Sequence, residues 1–264
     1  MLFRECQVEI EDFVRAAVGL PPLSSEKITL VQLALDGSWD GADARCFAYG
    51  GVVGLQSHWM ALGQSWEDIL RPYGITSFHM VEAMNFRGQF ERLGREWGEL
   101  RIAKRDQLLN DLVAVAEQTK FSALGLGADI RLFGEQKNAV KKREIFQAVI
   151  LDALESLHPN YRLGILCDRE QDAHLSWLEN FMSRHTKHRE RIWALCFVDD
   201  RYVPAVQVAD LWTYLLREDS ERNIFNPTEP ENPLFTRLAA TAGKSQHIRS
   251  NRPEFLRLSG LDDV

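Results

Sequence analysis

The sequence predicts an α/β protein: a mixed sheet of about five strands flanked by helices, with a helical insertion after the second strand. Three observations carry this. Apolar, β-rich runs of strand length occur at residues 28–35, 45–55, 121–132, 161–168 and 191–198. The first two flank a Gly/Asp/Ser-rich turn, which makes a hairpin with a long turn. From the third run onward, strand patterns alternate with segments of helical period. A hairpin meander followed by strand–helix alternation gives a sheet of mixed direction with helices on its faces.

In chain order, residues 1–20 form an amphipathic helix with Val8, Ile10, Phe13, Val14, Ala17 and Val18 on its apolar side, stopped by Gly19 and the Pro21-Pro22 pair. Residues 1–27 are an appendage. The run from Ile28 to Leu35 ends on Asp36, where a central strand delivers a polar residue to the sheet edge. Residues 56–118 then lose the strand pattern and form the insertion. Ser65 is placed to cap a helix over SWEDIL, the following segment to Phe90 is loop-like and aromatic, and EWGELRIAKRDQLLNDLVAVAEQ is a long amphipathic helix. Its inward residues are Leu100, Leu108, Leu109, Leu112, Val113 and Val115. A third strand, the helix KKREIFQAVILDALESLH, a strand ending on Asp168, the helix DAHLSWLENFMSRH and a fifth strand follow. The last helix opens on Pro204, whose fixed φ and missing N–H suit a first turn. Val206, Val208, Ala209, Leu211, Trp212, Leu215 and Leu216 give it a broad apolar face, which Asp210 interrupts. This is the element order of the ribonuclease H-like fold, here over residues 28–218, with residues 219–264 a tail packed on the domain.

Composition bounds the function. With 264 residues, 45% hydrophobic and 26% charged, the chain makes one large domain or a domain with a sizeable insertion. Cys6, Cys46, Cys167 and Cys196 have no metal-finger spacing, and three lie in apolar runs, so they read as reduced core residues of a cytosolic protein. The chain has no apolar run of membrane-spanning length, and acids interrupt its amino terminus where a signal peptide would be apolar. A net charge of −7 opposes broad coating of nucleic acid or anionic membrane, but not a local basic groove.

The acids point to chemistry. If the first and fourth strands are parallel neighbours, Asp36 and Asp168 meet at one edge, and the last helix can bring Asp210 to the same point. Clustered carboxylates repel one another and stay ionised only around cations, and Mg²⁺ or Mn²⁺ suits an all-oxygen setting. Two such ions about 3.5–4 Å apart can activate water against a phosphodiester. Glu144, on the helix between the third and fourth strands, is the candidate fourth acid, with Glu82 and Asp40 behind it. Each residue has a plainer reading: Glu144 a solvated helix acid, and Asp210 a partner for an arginine or a cap on a neighbouring element.

These residues resemble domain-of-unknown-function family 3800, to which a ribonuclease H-like fold is attributed. The resemblance rests on LALDGSWDG followed by FAYGGVVG, on FHMVEA, on ILCDRE and above all on FVDDRYVPAVQVADLWTYLLRE, and it covers most of residues 28–218. It implies that Asp36, Asp168, Gln207 and Asp210 are polar site positions, with His79 in a histidine position of the insertion and Ser38 beside the first acid. One departure is present. Where the family commonly has an acid after the first Asp, this chain has Gly37, with Trp39 where a glycine is usual and Asp40 as the nearest replacement acid.

Other features are less specific. His79 reads as a group contacting phosphate or the metal ligands, or as a hydrogen-bonded loop residue. Asp199 and Asp200 read as extra ligands or as caps after the fifth strand. Arg184, His185, Lys187, His188, Arg189 and Arg191, with Lys137, Lys141, Lys142 and Arg143, are either solvated connections or the border of a nucleic-acid groove. Trp39, Trp59, Trp66 and Trp97 offer stacking surfaces or core packing. No phosphate-binding glycine loop is visible, GLGAD being too short and wrongly placed. The expected function is a divalent-metal nuclease or phosphodiesterase. The alternative is a catalytically inactive ribonuclease H-like binding module of a defence or mobile-element system.

Overall fold

The computed structural model describes residues 29–39, 45–95, 98–168 and 173–242. The amino-terminal helix, Asp40, Trp97 and the end of the tail lie outside these residues. Five strands form one sheet: β1 (Thr29–Trp39), β2 (Cys46–Gly54), β3 (Ser122–Asp129), β4 (Tyr161–Asp168) and β5 (Ile192–Val198), in the order β3-β2-β1-β4-β5. The β1–β2 and β2–β3 pairs are antiparallel, and β1–β4 and β4–β5 are parallel. With helices on both faces, this is the ribonuclease H-like arrangement read from the element order.

Between β2 and β3 stands the expected helical insertion: α1 (Gln56–Leu70), the short α2 (Met80–Asn85) and α3 (Glu91–Gly94), and α4 (Glu99–Gln118). Two details differ. Ser65 caps nothing, because α1 begins at Gln56 and buries Trp59, Leu62, Trp66 and Leu70 along one continuous stripe. Leu100 is exposed while Leu108, Leu109, Leu112, Val113 and Ala116 are buried, so the apolar face of α4 starts two turns in. The remaining helices are α5 (Asn138–Ser156), α6 (Ala173–Arg184), α7 (Pro204–Phe225) and α8 (Pro233–Ala242). Thus α7 continues past residue 218. No helix among the described residues is long and apolar enough to cross a membrane.

The two sheet faces carry separate cores. Leu33 and Leu35 of β1 pack with Ile165 and Cys167 of β4 against α5 and α6. Ala34, Ala48 and Val52 face the other way, under α7 and the insertion. Period-2 alternation therefore turns Asp36 towards α7. That helix lies close against the sheet because glycines line its track. A Cβ on Gly125 would stand 2.5 Å from Leu216, and one on Gly127 would stand 2.0 Å from Ser220. GLGAD is thus a packing strand, which is why it offers no phosphate loop. Cys46 and Cys167 are buried as expected, but Cys196 is exposed, since β5 is an edge strand with its side chains only half covered.

Candidate functional site

Register builds the site first. Parallel pairing runs to Leu35 opposite Cys167, so Asp36 and Asp168 follow as neighbours on the α7 face. Asp36 does not end its strand, as expected from the sequence, but lies inside it opposite Gly50, with β1 continuing to Trp39. From α7, Asp210 reaches Asp36 across the sheet, and their side chains share a hydrogen bond. Two carboxyls can bond only if one holds a proton. Burial, then the charges of Asp210 and Asp168, push Asp36 well above the usual carboxylate range. Burial also raises Asp210 to about 6, against the opposing pull of the Met80 N–H and of His79.

The surroundings of Asp210 settle part of its plainer reading. Its Oδ2 accepts from the Met80 backbone N–H at 2.7 Å, so it does cap a neighbouring element. No arginine pairs with it among the described residues. Its cationic neighbour is His79, whose Nδ1 lies 3.9 Å away. His79 Nε2 in turn meets Asp200 at 2.7 Å. That pairing raises the histidine to about 9, so the ring is protonated at neutral pH.

Gln207 organises this wall. Its Oε1 accepts from Trp66 Nε1 at 2.7 Å and from the Phe78 N–H at 2.9 Å, and its Nε2 donates to the Asp200 carbonyl at 2.7 Å. One buried amide thereby ties α1, the segment before His79 and the turn after β5 to α7. Of the paired acids, Asp199 is the cap, accepting from the Arg201 N–H, while Asp200 turns to His79. Ser77, His79, Glu82, Gly88, Gln89, Asp168, Asp199, Asp200 and Arg201 line the resulting cleft, of about 750 Å³.

The structure thus brings together Asp36, Asp168, Asp210, His79 and Gln207, and adds Glu82 and Asp200. It does not bring Glu144. That residue lies on α5, against the opposite face of the sheet, buried rather than solvated and held by Arg143 at 2.7 Å and Arg184 at 3.5 Å. Ser38 faces α7 as Asp36 does, but one step further along β1, where its Oγ accepts from Arg217 Nε at 3.1 Å. Glu82 is an acid of the insertion that lines the cleft, folded over Gly88, whose φ of +54° favours glycine. The signal for Asp200 was weak in the sequence, because adjacent acids after a strand do not reveal which one turns inward.

The expected basic groove is largely absorbed by structure. Arg184 serves Glu144, Arg191 donates to the carbonyls of Leu154, Leu157 and His158, and His188 is buried. Lys142 stands 3.2 Å over the Trp39 ring. Trp59 and Trp66 are core residues.

The donor chemistry fits a hard divalent cation, since Asp36, Asp168 and Asp210 offer only oxygens. The side-chain placement does not yet do so: among the described residues no group of three or more His, Cys, Asp or Glu side chains is arranged to hold a metal ion. No family model matches the sequence, and no curated protein matches it.

Proposed function

We propose that the protein is a divalent-metal-dependent phosphodiesterase of nucleic acid, a ribonuclease H-like relative of the family its motifs resemble. What supports the reading is that Asp36 of β1 lies beside Asp210 of α7 and next to Asp168 of β4, the last of which lines an open cleft. Burying three carboxyls together is costly unless protons or cations compensate. Asp210 keeps 17% of its side chain accessible beside His79, which lines the cleft.

In this reading Asp36, Asp168 and Asp210 hold Mg²⁺ or Mn²⁺, and Glu82 lines the same cleft as Asp168. The bound ion would supply an activated water and charge neutralisation at the phosphodiester. His79, kept cationic by Asp200, faces the cleft and can hold a phosphate oxygen or give a proton to the leaving oxygen. Gln207 keeps that histidine in place. Gly37 removes one acid from the family's pattern, so the three aspartates carry the site without it.

A second reading has its own observation. The Asp36–Asp210 bond satisfies the acids without metal, which suits an inactive binding module. Incubation of end-labelled single-stranded DNA and RNA with the protein separates the two. Cleavage in millimolar Mn²⁺ and none in EDTA is the expected result. An intact substrate in both, over a range of sequences, would leave only the binding module.

A further inference from the structure

A second cavity lies on the insertion, away from the aspartates. It measures about 690 Å³ and is lined by Met84, Asn85, Phe86, Glu91, Arg95, Arg101, Ile102 and Arg105. Three guanidiniums against one carboxylate make it a cationic concavity in a chain whose net charge is −7. Arg105 is bound by Asp106 at 2.7 Å. Arg95 and Arg101 are exposed and form no ion pair with a carboxylate among the described residues. Arg101 and Arg105 both stand over the Phe86 ring, their guanidinium carbons 5.0 and 5.5 Å from its centroid.

The position matters as much as the charge. Helix α2 connects the two cavities: the Met80 N–H at its start binds Asp210, while Met84 and Asn85 at its end line the cationic concavity. At about 1.5 Å per residue, those ends are roughly 8 Å apart along the helix axis. Arg87 stands exposed in the chain between Phe86 of this cavity and Gly88 of the aspartate cleft.

We propose that this arginine-lined cavity binds the phosphodiester backbone of a single-stranded nucleic acid and leads it to the aspartate cleft. Guanidinium forks match phosphate oxygens in pairs. A concavity with an aromatic ring and arginines suits a strand whose bases are free to stack, as those inside a duplex are not. The proposal rests on the phosphodiesterase reading for the direction of the strand. The arginines that do the work lie on α4 and just before it, not in the run at residues 184–191.

Fluorescence anisotropy of labelled single-stranded DNA and RNA 12-mers, in EDTA and at several salt concentrations, tests it without any cleavage. The double variant Arg95→Ala/Arg101→Ala should bind at least tenfold more weakly. The slope of log affinity against log salt should fall by about 1.4, two phosphates at about 0.7 each. The double variant Lys187→Ala/Arg189→Ala, both exposed, should bind like the parent. Unchanged affinity and slope in the arginine variant, a parent that binds neither 12-mer, or an equal loss for duplex would each overturn the proposal. Weakened binding with no Mn²⁺-dependent cleavage in either protein would overturn the phosphodiesterase reading and leave the cavity standing. Cleavage by a variant that also binds normally would do the reverse.

Discussion

Asp210→Asn should abolish Mn²⁺-dependent cleavage and yet leave the metal-free protein more stable than the parent at neutral pH. Asparagine matches aspartate in size. It can still accept from the Met80 N–H and can donate to Asp36, so packing and the cap survive. The sign follows from the raised acid. A carboxyl lifted from 3.8 to about 6 by burial contributes stability that is fully present below its unfolded value and lost as pH rises through about 6. At pH 7.5 that contribution is gone, and the variant, which does not titrate there, should be more stable by about 1–2 kcal/mol. Between pH 4 and pH 7 its melting temperature should also depend less on pH than the parent's. With millimolar Mn²⁺ the order should reverse, because a cation that binds only the folded state stabilises it by mass action and the variant binds it less well. Melts in EDTA and in Mn²⁺ check both halves. Strong destabilisation of the variant in EDTA would make Asp210 a structural cap and nothing more.

Trp212→Ala should cost about 3–5 kcal/mol. The side chain is fully buried on α7, stacks on Phe235 of α8 with 5.5 Å between ring centroids, and donates from Nε1 to the Leu124 carbonyl at 2.9 Å. Truncation would open a cavity, strand a carbonyl and loosen the helix that carries Asp210 and Gln207. Chemical denaturation should show the loss as a lower midpoint with little change in slope. A midpoint equal to the parent's would contradict the packing of α7 on β2 and β3.

Much of this was readable in the residues, for identifiable reasons. Strand runs, the Pro204 start and the helical face of α7 are local patterns, so the element order and the insertion followed from period alone. Asp36 and Asp168 were placed by reasoning that parallel neighbours meet at one end, and the register bears that out one residue past the Leu35–Cys167 pair. Glu144 failed for a non-local reason: element order says that a helix lies between β3 and β4 but not which sheet face it covers. It covers the face opposite the aspartates, among Leu33, Leu35 and Cys167. Asp200 and Glu82 depend on how a loop folds back, which no periodicity encodes. Gln207 was marked by resemblance, but its three partners come from segments up to 141 residues away.

The central claim is that Asp36, Asp168 and Asp210 together hold a divalent cation, and calorimetric titration of Mn²⁺ into the protein at pH 7.5 tests it most directly. Saturable binding is expected in the parent and its loss in Asp36→Asn, Asp168→Asn and Asp210→Asn, with Glu144→Gln binding like the parent. No saturable heat in the parent, or undiminished binding by any of the three aspartate variants, would contradict it.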